Sequence, residues 1–217
     1  IDFFVHTFRI PRNKFRRVLV GSDESVIKPK EPLRTKRDFL VHFHGTFIPL
    51  QGIQYIIQAA KILESKGVHF NIIGKGQTYH KILKLAEELD VKNITFMNPV
   101  PYNDLARLMN SADLCLGIFG DTNKTSRVIP NKVYEALAAN RPCLTGDTPA
   151  IRELFTDRKN ILLCQVADPQ DLAEKILEIK NSTALAQTIA NNGYDLFVSS
   201  FSPRHATQDL AKEINQL

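Results

Sequence analysis

Residues 39–76 read FLVHFHGTFIPLQGIQYIIQAAKILESKGVHFNIIGKG, and this stretch decides the fold. Phe39-Leu40-Val41-His42-Phe43-His44 is a short apolar and aromatic run ending at Gly45, the pattern of a strand and its stop. Ile53, Ile56, Ile57, Ala60 and Leu63 then recur at helical spacing, with Gly67 as terminator. Val68-His69-Phe70-Asn71-Ile72-Ile73 reads as a second strand, closed by Gly74-Lys75-Gly76. Two strands separated by one helix predict a parallel pair joined by a right-handed crossover.

The alternation continues outward. A helix is predicted from Ile82, Leu83, Leu85, Ala86 and Leu89, a strand at Ile94–Met97, a helix at Asn103–Asn110 and a buried strand at Leu114–Ile118. The polar stretch Asp121–Arg127 leads to Pro130, a favourable first residue for a helix reaching Ala139. Cys143–Thr145 reads as a strand, Pro149–Phe155 as a helix and Ile161–Cys164 as the last strand. Helices at Asp171–Ile179, Ala184–Leu196 and His205–Leu217 close the chain. The fold class is therefore α/β: a Rossmann-like parallel sheet with helices on both faces, plus C-terminal helices. Residues 1–37 read as an extended basic arm or linker, with a short strand at Arg17–Val20 and a Pro-interrupted stretch at Lys28–Pro32. The sheet domain spans 38–180 and the terminal helices 181–217. Ligands in such sheets lie beyond the carboxyl ends of the strands, which points to the segments after Phe43, Ile73, Met97, Ile118 and Leu144.

Composition excludes several classes. The 217 residues are 43% apolar and 24% charged, as in ordinary globular proteins, and runs such as Ile161–Cys164 are far too short to cross a bilayer. Arg9, Arg12 and Lys14 break up the apolar opening, so no signal-peptide pattern is present. Cys115, Cys143 and Cys164 sit in strand-like runs without zinc or redox spacing, which predicts buried thiols and a cytoplasmic location. The net charge of +5 is concentrated between Arg9 and Arg37, where ten Lys and Arg face three acidic residues. Such an opening can meet phosphate, an anionic membrane surface or an acidic partner domain, or can be a solvated linker face. No aromatic interleaving or base-reading helix supports nucleic acid.

Three segments carry candidate chemistry. The loops Gly45-Thr46 to Gln51-Gly52 and Gly74-Lys75-Gly76 either bring backbone close to a ligand's phosphates or are plain turns. Neither has the third glycine of a dinucleotide fingerprint, which disfavours NAD. More specific is Ile129-Pro130-Asn131-Lys132-Val133-Tyr134-Glu135-Ala136. Free N–H groups of Asn131 and Lys132 at a helix start welcome an anion, and Lys132 adds a charge. Glu135 has the reach for a ribose diol; the alternative is an ordinary surface helix with a lone exposed glutamate, but a glutamate entering the apolar run Ala136–Ala139 more often has a partner than not. The six histidines lack metal spacing or an adjacent nucleophile and read as satisfied structural residues, with His44 at the ligand end of its strand the least secure.

These segments, with Ala112–Leu116 and Arg141–Thr145, resemble in order and context the family-4 retaining ("group 1") glycosyltransferases over about residues 15–205. The resemblance implies one half of a GT-B fold, the C-terminal donor-binding domain, with residues 1–20 and the terminal helices joining an N-terminal acceptor domain outside these residues. It implies transfer from a nucleoside-diphosphate sugar with retention, hexosyltransferase-like in the full-length protein, and no activity from this domain alone. No metal or other cofactor is implied. Of the family's two signature glutamates, the second matches Glu135 on the ribose. The N–H groups of Asn131 and Lys132 would hold the diphosphate, and the base would lie near Pro99–Tyr102, against Pro101 and Tyr102.

The first glutamate falls at Arg127, and the family's usual arginine and lysine of the first loop fall at Thr46 and Gln51. Positive charge must then come from Lys124, Arg127 and Lys132, so the expected catalytic set is Glu135, Arg127 and Lys132. Donor contacts are expected from Gly45, Thr46, Gln51, Gly74, Lys75, Pro101, Tyr102, Lys124, Asn131, Lys132 and Glu135. Other readings are a GT-B epimerase or phosphorylase, and a non-catalytic nucleotide- or sugar-binding module. Expected partners are the nucleotide-sugar donor, the acceptor domain and an anionic membrane surface on which the protein is peripheral.

Overall fold

Each of the six strands feeds a helix or a long connection that must recross the sheet before the next strand can pair. The computed structural model, which describes residues 1–15, 18–31 and 38–215, accordingly has one all-parallel sheet. Its strands are β1 (Phe39–His44), β2 (Val68–Ile73), β3 (Ile94–Met97), β4 (Leu114–Leu116), β5 (Cys143–Gly146) and β6 (Leu162–Cys164), in the order β3-β2-β1-β4-β5-β6. Phe39 lies opposite Val68 and His44 opposite Ile73, while Val41 and His42 pair with Leu114 and Cys115 on the other side. The order reverses between β1 and β4, and a crevice opens at their carboxyl ends, where ligands of doubly wound sheets bind.

The helices are α1 (Asp2–Phe8), α2 (Ile53–Ile62), α3 (Tyr79–Glu88), α4 (Tyr102–Ser111), α5 (Asn131–Ala138), α6 (Pro149–Arg152), α7 (Pro169–Asn181), α8 (Thr183–Leu196) and α9 (Pro203–Ile214). Strand periodicity divides the core between two faces. Leu114, Leu116, Leu144, Leu162 and Cys164 pack with α2, α3 and α7. Cys115, Cys143 and Leu163 pack with α4, α5 and the turn Phe197–Phe201. All three cysteines are free and buried. In β1 the residues Phe39, Val41 and Phe43 enter the first core, which turns His42 and His44 toward the second face. Burying side chains of this size contributes roughly 1.5–3 kcal/mol each.

Caps explain several helix starts. Asp168 accepts from the N–H groups of Gln170 and Asp171 to begin α7, Ser182 accepts from Leu185 N to begin α8, and Thr148 accepts from Ile151 N to begin α6.

Five sequence-based expectations are corrected. The opening is not extended: Asp2–Phe8 is helical, with no buried residue, and Phe4 packs on Phe15. The strand expected at Arg17–Val20 is not formed at Val18–Val20, where Leu19 alone packs on the core and Val18 and Val20 are exposed; Arg17 lies outside the described residues, as does Pro32 of the Lys28–Pro32 stretch. Pro130 is the cap of α5 rather than its first residue, with extended backbone. The helix expected at Pro149–Phe155 stops at Arg152, and the strand at Leu114–Ile118 stops at Leu116, where the chain peels away toward the crevice.

Candidate functional site in the crevice between β1 and β4

The β1 and β2 loops meet backbone to backbone. Gly45 N donates to Ile73 O at 3.0 Å and Gly74 N to Met97 O at 3.0 Å. A Cβ on Gly74 would lie 2.0 Å from Gly45 O, and one on Gly45 would lie 2.7 Å from Lys132 Nζ. Both glycines also have positive φ, 139° at Gly74 and 155° at Gly45. Loop packing and room for a lysine thus account for these two residues in the protein itself.

That lysine is the centre of the site. α5 begins without a side-chain cap, and its second residue, Lys132, is 6% exposed. Its ammonium lies 3.9 Å from the centroid of the Phe43 ring and donates to Gln51 Oε1. Gln51 is itself buried and its carbonyl accepts from Phe119 N at 3.1 Å, tying the first loop to the segment after β4. Burial pulls the Lys132 pKa down to about 7, against the pull of Glu135 in the other direction. The ring face and one amide oxygen therefore replace only part of the hydration the ammonium gives up.

One turn further along α5, Glu135 is nearly enclosed. Its Oε2 lies 2.8 Å from His44 Nε2, and its Oε1 accepts from Tyr102 OH at 3.3 Å. Behind His44, His42 is 1% exposed, with its Nε2 3.0 Å from His44 Nδ1 and its own Nδ1 without a partner among the described residues. Burial lowers the pKa of both histidines, well below the ordinary value for His42; for His44, Lys132 adds to the fall and Glu135 opposes it. Burial, with Glu135 next to it, raises the Tyr102 phenol. The histidines and Glu135 form a chain rather than a cage: among the described residues no three metal-ligating side chains converge.

A cavity of about 220 Å³ adjoins this centre, lined in part by His44, Gly45, Gly74, Lys75, Pro99 and Val100. A larger hollow of about 590 Å³ lies at the opposite end of the sheet, beside Asp113 and Pro142, just ahead of β4 and β5. The smaller one is the better candidate, because the groups with shifted protonation and the open helix start meet there.

Of the residues expected at the site, Gly45, Gln51, Gly74, Tyr102, Lys132 and Glu135 come together. Thr46 and Lys75 line the cavity, Pro101 caps α4, and Asn131 opens α5 on its exposed side. Lys124 and Arg127, both exposed, stand apart from this contact network on a single turn, Thr125–Arg127 capped by Lys124, whose Thr125 is buried. Arg127 Nε donates to Asn123 O at 3.1 Å, and its guanidinium lies 5.1 Å from the Phe3 ring of α1. His44 is satisfied as expected, by Glu135 and His42, whereas His42 departs from that reading because its buried Nδ1 has no partner among the described residues. Phe43 and His42 were not anticipated. The available signal was the His-x-His at the end of β1, on the face opposite Phe39, Val41 and Phe43.

A doubly wound sheet with an open helix start and an enclosed glutamate at its switch point defines the class: an α/β domain with its ligand crevice at the carboxyl ends of the strands. The chain belongs to the group 1 glycosyl transferases, whose family model matches residues 24–196. It is 26% identical over 175 residues to an uncharacterised glycosyltransferase of Methanocaldococcus jannaschii, covering 81% of this chain and 47% of that protein. It is 23% identical over 176 residues to the poly(ribitol-phosphate) alpha-N-acetylglucosaminyltransferase of Staphylococcus aureus, covering 79% of this chain and 34% of that one. The chain thus spans between about a third and a half of the length of these curated relatives. In fold it is similar to sucrose-phosphate synthase of Thermosynechococcus elongatus, with a TM-score of 0.83 at 16% identity over 99% of this chain and 55% of that one. It is also similar to Anabaena HepE in complex with UDP-glucose, with a TM-score of 0.80 at 20% identity over 95% and 59%. Among the described residues no helix is long and apolar enough to cross a membrane.

Proposed function

We propose that this chain is the donor-binding half of a retaining glycosyl transferase, and that it takes a nucleoside-diphosphate sugar in the crevice between β1 and β4. The observation that carries the reading is the enclosed Glu135 one helical turn from the buried amine of Lys132 at the start of α5. The structure of HepE with UDP-glucose, which shares this fold, supports the ligand class. A carboxylate has about four lone-pair sites. His44 and Tyr102 take two, which leaves two for the vicinal hydroxyls of a ribose. The base would occupy the cavity beside Pro99 and Val100.

The diphosphate would face the first N–H groups of α5 and Lys132. As the bond to the sugar breaks, negative charge grows on the departing phosphate. A helix start supplies about half a positive charge, and Lys132 a whole one once the diphosphate has drawn a proton onto it. The acceptor, and the second half of the transferase cleft, would come from the partner domain of the full-length protein.

Calorimetric titration of the chain with UDP, GDP and ADP tests this reading. One of them binds, and Glu135→Ala weakens both the diphosphate and the free nucleoside about tenfold or more. Failure of all three nucleotides to bind sinks it. Arg127, outside the contact network, favours a second reading in which the site binds donor without transfer. Sugar transfer by the full-length protein dismisses that alternative.

A further inference from the structure

The contacts around Glu135 admit one consistent arrangement of protons. An ionised Glu135 requires a donor at His44 Nε2, 2.8 Å away. In a neutral imidazole this makes His44 Nδ1 an acceptor, so the proton in the 3.0 Å contact belongs to His42 Nε2. The bare nitrogen of the chain is then His42 Nδ1, which is buried and without a partner. In the reverse arrangement His42 would carry its proton on Nδ1, leaving a buried N–H orphaned, and His44 would turn a lone pair toward a carboxylate. Orphaned buried N–H groups are the rarer defect. A cationic His44 fails similarly, because its second N–H would force the Nδ1–H form on His42. The burial that disfavours charge on both rings agrees with this arrangement.

We propose that His44, backed by His42, is a positioning residue that fixes the Glu135 carboxylate for a ribose diol and thereby makes the site select ribonucleotides over deoxyribonucleotides. His44 ends β1, paired there with Ile73 of β2, and the ladder to β4 on the other side holds the strand up to His42. Glu135 sits on α5, and the bond between them spans 91 positions of sequence. With Oε2 held by His44 and Oε1 by Tyr102, the carboxylate plane is fixed and its remaining lone pairs point to one locus. Without the His44 donor, the Glu135 side chain loses its orientation. The loss falls on recognition of the hydroxyl pair, with the phosphates and the base still held.

This inference rests on the nucleotide-binding reading above, and the experiment separates the two. UDP, GDP and ADP, with their 2′-deoxy counterparts, are titrated calorimetrically into the chain and into His44→Leu, His44→Gln and Glu135→Gln. In the unsubstituted chain the best ribonucleotide binds about tenfold more tightly than its deoxy form. His44→Leu brings that ratio to about one, chiefly by weakening the ribonucleotide. His44→Gln, which keeps an N–H at similar reach, restores most of it. A merely structural role would weaken both nucleotides equally and leave the ratio intact. If the unsubstituted chain binds no nucleotide, both readings fall. If the ratio collapses in Glu135→Gln and survives in His44→Leu, only this one falls. A measurement without ligand stands beside it: long-range nitrogen–proton correlation spectra of the imidazoles at neutral pH. Both His42 and His44 appear as neutral Nε2–H tautomers; a cationic or Nδ1–H His44 overturns the proposal.

Discussion

Five cations, Arg9, Arg12, Lys14, Lys28 and Lys30, are all exposed in the described part of the amino-terminal segment, whereas the crevice between β1 and β4 holds a buried one, Lys132, beside the exposed Lys75 at the rim of its cavity. Near water, two charges 4 Å apart interact by about 1 kcal/mol, and salt screens them within about 10 Å. Inside the protein the same separation is worth several times more, and the ammonium has already given up its hydration. The number of charges therefore misleads about where an anion binds best. Burial disfavours the charge on Lys132, as its lowered pKa records, and an anion arriving there would restore what the ammonium has lost.

The largest effect tests that contrast directly. Lys132→Met should weaken binding of the nucleoside diphosphate by roughly ten- to a hundredfold, the worth of a charged hydrogen bond, and leave the free nucleoside within about threefold. Calorimetric titration of both ligands measures this; equal losses for both would assign Lys132 to packing alone.

Protonation gives the next test. The folded pKa of Lys132, about 7, lies below the ordinary 10.5, so between those values the unfolded chain holds more protons than the folded one. Stability should therefore rise with pH across that window, and the cost of burying the charge is complete below it. Urea unfolding at pH 7 and at pH 9.5 should show a gain of at most about 3 kcal/mol that Lys132→Met lacks. A diphosphate near Nζ pushes the pKa back up, so binding at pH 8 should take up a proton. Titration in buffers of different ionisation enthalpy counts it, and the substituted chain should take up none.

Arg127→Ala sharpens the comparison from the exposed side. Its guanidinium is engaged with Phe3 and Asn123, and the expected loss of diphosphate affinity is about twofold, against tenfold or more at Lys132. The same titrations decide this, and losses of equal size would bring Arg127 into the site. Smallest of all, salt should separate the two regions. Raising it from 50 to about 500 mM should release the chain from anionic vesicles, as followed by co-sedimentation, and change diphosphate affinity at Lys132 by no more than about threefold.

Much of this was legible in the sequence, and the gaps have physical causes. The short apolar runs of β1 and β2 and the glycines closing them were readable because local geometry writes them. Lys132 and Glu135 were readable for the same reason: Pro130 marks a helix start, and a charged residue entering Ala136–Ala139 needs a partner. That the partner is His44, far away in sequence, was not readable, since periodicity tells which face a residue takes but not what lies across it. Lys124 and Arg127 shared a loop with the site, and sequence distance in a loop says nothing about direction. α1 was missed because Asp2–Phe8 begins without a polar cap and its Phe residues remain at the surface.

The three buried thiols turn the protein into its own stopwatch. Burial pushes Cys115 up to about 12 and Cys143 and Cys164 still higher, so at neutral pH almost no thiolate exists in the folded chain. A thiol-reactive dye is consumed only when a layer opens. Cys115 and Cys143, opposite one another in register, keep time for the layer under α4 and α5, and Cys164 for the layer under α2 and α7. Peptide mapping after a short pulse of dye would then distinguish a chain that opens one face first from a chain that opens both at once.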